Sequence, residues 1–222
     1  MVPEHRKTER RVRVEFHHIK SGVGLRLTQQ GENLKRAGLW NHVPRNQRVA
    51  FVANQVVPQH QQANGGVVVL VEGVEHALSL SSVLPGWPIV TAEYVNDAGL
   101  TTHQKDLLRA GRNPFRDYSK PVIATSSALE KLDLSAVAAI IRADGGIGLP
   151  QIARQQLIAE PTRAALELHE FDDRHHPELG HDSRIRRRQY VERGWFAPGV
   201  DLVSARAERF LDSRPTLGRI DK

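Results

Sequence analysis

At 222 residues with 40% apolar content, the chain has material for one large domain, or one domain with an appendage, around a substantial core. It contains no cysteine, which excludes a disulfide scaffold, a thiolate nucleophile and cysteine-ligated zinc, and suits a reducing compartment. Its 31 Lys and Arg against 25 Asp and Glu give a net charge of +6 and a pI near 10, a balance that favours polyanionic partners such as nucleic acid.

The opening MVPEHRKTERRVR carries charge where a secretion signal needs an apolar core. No later run approaches the roughly 18 apolar residues that span a bilayer, so a cytoplasmic protein without a membrane partner is expected. Basic residues gather between Arg6 and Arg13 and again at Arg184, Arg186, Arg187, Arg188 and Arg193, while the middle is close to neutral. Each run reads either as a solvated face or as a phosphate site.

In chain order, residues 11–16 alternate charged and apolar side chains, as an edge strand would, and residues 46–57 have helical spacing that is expected to stop before Pro58. VVVLV at 67–71 is a β-branched run suited to a strand buried on both faces, and 74–84 reads as a helix ended by Pro85-Gly86. A short strand follows at 88–91. Thr101 or Thr102 can cap a helix running to Ala110, with Gly111 at its stop. Strands are expected again at 121–125, 137–141 and 165–169, with helical segments at 126–134 and 151–158 between them. This alternation predicts an α/β fold, a mostly parallel sheet with helices on both faces. A His-rich loop then leads to a basic helix at about 183–193, and residues 204–212 read as a last amphipathic helix.

In such a sheet, ligands bind at the carboxyl ends of the strands. Thr125 and Ser126 stand at one strand end, and Asp133 follows eight residues after Thr125. A hydroxyl there can meet a phosphate and a carboxylate can accept from a sugar hydroxyl; a surface cap and a turn residue are the plain alternative. The surrounding text resembles superfamily 2 helicases. VIATSSALEKLDL is similar to motif V, VVVLVEGVEHALSLSSVLPGW to the strand and helix around motif IV, and RNQRVAFVANQVV to the helix that opens the second lobe. HDSRIRRRQY stands where motif VI is expected and keeps an Arg-x-x-Arg spacing through Arg184 and Arg187.

The resemblance spans about residues 45–195 and implies the C-terminal RecA-like lobe of such a helicase, preceded by a basic segment and linker (1–44) and followed by a helical tail (196–222). It implies that Thr125, with Ser126, meets a nucleic-acid phosphate, that Asp133 meets the nucleotide ribose, and that Arg184 or Arg187 is an arginine finger. Arg186 and Arg188 would then face nucleic acid or solvent. Three departures stand out. Lys131 replaces the usual motif V glycine, motif VI lacks its glutamine and glycine, and no Gly-x-x-x-x-Gly-Lys-Ser/Thr loop occurs. ATP and magnesium would therefore enter only with a separate or lost N-terminal ATPase lobe, and the chain alone should not hydrolyse ATP.

Two further segments carry chemistry. Arg142-Ala-Asp144-Gly145-Gly146-Ile-Gly148 reads as a ligand loop or as a tight turn in which Arg142 and Asp144 pair. Asp172, Asp173, His175 and His176, with His181 and Asp182 behind them, could instead form the metal site of a small nuclease or phosphoesterase. The plain reading, a hydrogen-bonded loop that aims the basic helix, is preferred, and no metal ligand is assigned. His17-His18 read as edge-strand residues. A nucleic-acid-binding accessory protein on a decayed helicase fold is the third reading.

Overall fold

A strand made of Gly and branched aliphatics has no solvent face, so Gly66–Val71 demands cover on both sides. In the computed structural model, which describes residues 11–19, 25, 28–61, 65–92, 94–96, 98–112, 120–148 and 165–195, all six of its residues are buried. The strands are β1 (Val12–His18), β2 (Gly66–Val71), β3 (Ile89–Val90), β4 (Val122–Thr125), β5 (Val137–Arg142) and β6 (Leu166–Asp172). They form one sheet in the order β1-β6-β5-β2-β4-β3, and every neighbouring pair is parallel. The α/β class expected from the alternating pattern is the one found.

The helices are α1 (Gly31–Lys35), which continues as a π turn over Arg36–Trp40, then α2 (Val43–Gln61), α3 (Val74–Ser81), α4 (Thr102–Ala110) and α5 (Pro177–Glu192). Helices α2, α3 and α4 cover one face through Val49, Ala77, Leu80 and Leu107. The other face is covered by α5, through Tyr190, and by the 3-10 turns after β4, through Leu129 and Leu134. β1 lies at the sheet edge beside β6, and its alternation holds at first, with Val12 and Val14 buried and Arg13 and Glu15 exposed, before His17 is buried on the Glu15 face.

Two expectations are corrected. Helix α2 does not stop before Pro58 but carries it inside its last turns, three residues from the end at Gln61. The short helical turn expected after β4 winds as 3-10 helix over Ser126–Lys131 and Leu134–Ala136. Helix α5 begins before residue 183, because His176 caps it by accepting from the Glu178 N–H and Pro177 supplies a preset first-turn φ. The helices expected at 151–158 and 204–212 and the tail at 196–222 lie outside the described residues.

The start of α4 is as expected. Thr101 and Gln104 form a reciprocal capping box, with the Thr101 side chain accepting from the Gln104 N–H at 3.2 Å and the Gln104 side chain accepting from the Thr101 N–H at 3.0 Å. At the helix end Gly111 presses on β3: a Cβ there would lie 1.9 Å from the Ile89 carbonyl oxygen. Backbone cannot yield as a side-chain tip does. Gly111→Ala is therefore expected to cost about 3 kcal/mol of stability, read as a lowered urea midpoint at unchanged slope; a midpoint equal to wild type would refute this packing.

Candidate functional site

The connections from β2 and β5 leave in opposite directions, β2 toward β4-β3 and β5 toward β6, so their carboxyl ends bracket the sheet's switch point, where open α/β sheets bind ligands. Here the chain itself occupies much of that crevice. Glu72, directly after β2, accepts from Lys35 Nζ at 2.5 Å and from Trp40 Nε1 at 3.1 Å. Glu75, in the first turn of α3, accepts from Arg36 Nε at 3.2 Å. The positive end of α3 thus already faces carboxylates, which are themselves balanced by Lys35 and Arg36.

After β5, Gly145 takes φ +70° and lies so close to Leu39 that a Cβ would stand 2.6 Å from its Cδ1. Only glycine meets both demands. His175 Nε2 lies 2.9 Å from the Gly38 carbonyl, and its ring stacks on His42 with centroids 4.3 Å apart.

Beneath this cover lies a buried ionic cluster. Arg45, Arg142 and Arg186 are each at most 1% exposed, and they meet Asp144, Glu170 and Asp173, three cations to three anions. Arg142 donates to Asp144 from Nε at 3.0 Å and from Nη2 at 2.8 Å, and to Glu170 from Nη1 at 2.9 Å. The Arg142–Asp144 turn is therefore a pairing turn rather than an open ligand loop, and Arg142 Nη2 also donates to the Gly146 and Gly148 carbonyls. Arg45 donates to Asp173 at 2.7 Å and to the Ala143 carbonyl at 2.9 Å. Arg186 donates to Glu170 at 3.1 Å and to the Gly145 carbonyl at 2.7 Å. Tyr190 donates to Glu170, and its burial together with that carboxylate pushes the phenol well above its ordinary value.

The residues named from the sequence are dispersed by this architecture. Thr125, expected at a phosphate, is fully buried, with its hydroxyl 3.0 Å from that of Ser127. Ser126 donates to the Val71 carbonyl at 3.1 Å. Asp133 is exposed, but it caps a 3-10 turn by accepting from the Ser135 N–H at 3.0 Å and from the Ser135 hydroxyl. Arg186, expected to face nucleic acid or solvent, belongs to the buried cluster instead, because Leu179, Ser183 and Tyr190 set the inward phase of α5 and Arg186 falls on that side. Arg187 lies over the Phe16 ring at 4.3 Å and reaches Asp172 at 3.5 Å, whereas Arg184 and Arg188 remain on the exposed side with His181.

The rival His-Asp loop does not converge on one point. Asp173 is held by Arg45 and Arg186, Asp172 by Arg174 at 2.7 Å and His18 at 3.2 Å, His175 by Gly38, and His176 by its capping role. Among the described residues, the group whose donor atoms do gather is Glu15, His17 and His169. Sequence reasoning passed over it, although a signal exists: Glu15-x-His17 and Glu167-x-His169 are the same triplet on two strands. Side chains two apart share a strand face, and the parallel register sets Glu15 beside His169 and Arg13 beside Glu167. The imidazoles of His169 and His60 hold the Glu167 carboxyl down to about 2.

No protein-family model and no curated protein matches the sequence. Among solved structures, the chain is similar to UvsW of T4, with TM-score 0.48 and 11% identity over 82% of this chain and 39% of that one. It is also similar to the Hef helicase domain of Pyrococcus furiosus, with TM-score 0.36 and 16% identity over 58% of this chain and 25% of that one. The chain thus spans well under half the length of either.

Two measurements probe this edge. Arg45→Met or Asp173→Leu alone should each cost about 3–5 kcal/mol, since each strands a buried charge, and the double variant should cost clearly less than their sum; strict additivity in urea unfolding would show that the two do not interact. Acid should also weaken the fold. Burial and the neighbouring His175 push His42 down to about 4, and burial holds His76 well below its ordinary value. The unfolded chain takes up these protons below about pH 6.5, so the contribution is complete above that pH and is lost as pH falls toward 4. Neither ring nitrogen of His76 has a hydrogen-bond partner among the described residues, so His76→Leu should flatten the fall in Tm between pH 7 and 4 and raise stability at pH 5 by about 1 kcal/mol. An unchanged acid limb would contradict that role.

Proposed function

We propose that this chain is a nucleic-acid-binding module built on a helicase-type C-terminal lobe, and that it contributes no ATP hydrolysis of its own. The observation that carries the reading is the outward side of α5, where His181, Arg184 and Arg188 stand exposed on a helix whose inward side is locked by Arg186 and Tyr190. A rigid helix presenting guanidinium groups at i, i+4 suits a phosphate backbone, which rewards charge and tolerates sequence. The resemblance to helicase motifs IV, V and VI supports nucleic acid as the polyanion.

The occupied switch point supports the second half of the proposal. Glu72 and Glu75 stand at the α3 terminus, Thr125 and Ser126 spend their hydroxyls internally, and no Walker-type loop occurs in the sequence. In this reading ATP and magnesium belong to a separate ATPase lobe. The chain then acts as an accessory binding surface.

Single-strand oligonucleotide titrations by fluorescence anisotropy test the proposal. Affinity should fall in the nonspecific range of about 10⁻⁴ to 10⁻⁶ M and weaken steeply with salt, because each neutralised phosphate releases a counterion. The Arg184→Ala, Arg188→Ala double variant should bind at least about tenfold more weakly, with a shallower salt slope. Binding that is indifferent to salt, or equal in the double variant, would sink the reading. ATP turnover by the purified chain, abolished by Asp133→Ala, would equally overturn its second half.

A further inference from the structure

The edge strand β1, its neighbour β6 and helix α2 line a cleft of about 580 Å³ that includes Glu15, His17, Glu167, His169, Asn54 and Gln55. This cleft lies on the face of the sheet opposite α5, away from the switch point. His17 and His169 are each over nine-tenths buried, and the Glu15 side chain reaches them from the rim, 60% exposed. His17 Nε2 lies 3.1 Å from His169 Nδ1, and the Glu15 carboxylate lies 3.8 Å from the Nδ1 atoms of both His17 and His169.

We propose that Glu15, His17 and His169 form a binding site for a divalent first-row metal ion, zinc being the best match, with a coordination position left open to the cleft. The chemistry of the donor set fits. With bonds of about 2.0–2.1 Å, neighbouring corners of a zinc tetrahedron lie about 3.3 Å apart; His17 Nε2 and His169 Nδ1 stand at 3.1 Å, Glu15 and His169 Nδ1 at 3.8 Å, and one donor atom from each of the three residues lies within 4.8 Å of the others. Two neutral imidazoles and one carboxylate suit zinc over the hard all-oxygen cations. Three protein ligands leave a fourth position for water or a substrate oxygen, as in catalytic rather than structural sites.

The surroundings add a second, independent sign. With His169 Nδ1 turned to the site, its Nε2 points at Glu167, 3.7 Å away, and makes no hydrogen bond among the described residues. Glu167 is itself braced by His60 Nε2 at 3.0 Å. A carboxylate behind the far nitrogen of a histidine is the arrangement that orients metal-ligating imidazoles. Arg48 adds positive potential at His17, so a bound dication depends on Glu15 and Glu167 for charge balance. The plain competitor is a bare His17–His169 hydrogen bond, which requires neither Glu15 nor a metal.

The test uses the full chain, free of any affinity tag and dialysed against chelator, titrated with cobalt(II) and then with zinc. We expect one cobalt per chain with the intense visible bands of four-coordinate geometry, displaced by zinc. His17→Ala and His169→Ala should abolish the bands. Glu15→Gln, at an exposed position that leaves packing intact, should weaken binding at least tenfold, and Glu167→Gln by about 10- to 100-fold. His103→Ala, on exposed α4, should bind as wild type does. The site is refuted by a failure to take up stoichiometric metal, or by uptake that is six-coordinate or indifferent to Glu15→Gln, either of which leaves only the hydrogen-bonded pair and scattered surface histidines. The outcome is independent of the oligonucleotide titrations, because no residue is shared.

Discussion

The architecture turns on the pairing of Arg45 with Asp173 and the cluster it opens into. Arg45 belongs to the first turn of α2, Arg142 to the end of β5, Glu170 to β6 and Arg186 to α5, so one set of charge-assisted bonds ties both helical layers to the centre of the sheet. Burying six charges is costly, and only mutual neutralisation with filled hydrogen-bonding capacity offsets it. The cluster meets that condition by balancing three guanidinium groups with three carboxylates and by taking up leftover donors on the carbonyls of Ala143, Gly145, Gly146 and Gly148. Replacing any one member leaves a partner without compensation.

That constraint decides what the carboxyl edge can do. Guanidinium groups engaged in a closed cluster are not free to meet a ligand, and the residues that cover the cluster, Gly38, Leu39 and Trp40, fill the crevice at the switch point. The same locking makes α5 a fixed platform. Its inward side cannot rotate without breaking the Arg186 and Tyr190 contacts, so Arg184 and Arg188 are presented at constant spacing.

The sheet was legible where local chemistry admits one answer. VVVLV reads as a doubly covered strand and is one, and the helix start at Thr101 or Thr102 is fixed at Thr101 by its bond with Gln104. The site was less legible, because burial of charge is a tertiary fact. Four arginines within 184–188 look alike in sequence, and which one turns inward depends on where α5 starts; with the cap at His176 the phase sends Arg186 to the core, whereas a start near 183 leaves it undetermined. Thr125 shows the same limit. A hydroxyl at a strand end suits a phosphate, yet the neighbouring Ser127 is close enough to take it.

The Glu-x-His triplets show the converse, a signal present in the sequence whose meaning depends on register. Neither triplet means much alone, since strands commonly alternate polar and apolar residues. Parallel pairing of β1 with β6 brings Glu15 level with His169, and period-two alternation turns all four side chains to the α2 side. A slip of one residue would send Val14 and Leu168 there and carry the imidazoles to the α5 face. The apolar residues that hold the register, Val12, Val14, Leu166 and Leu168, pack under Tyr190 on the far side. The packing that fixes the basic helix on one face of this edge therefore also fixes the geometry of the histidine cleft on the other.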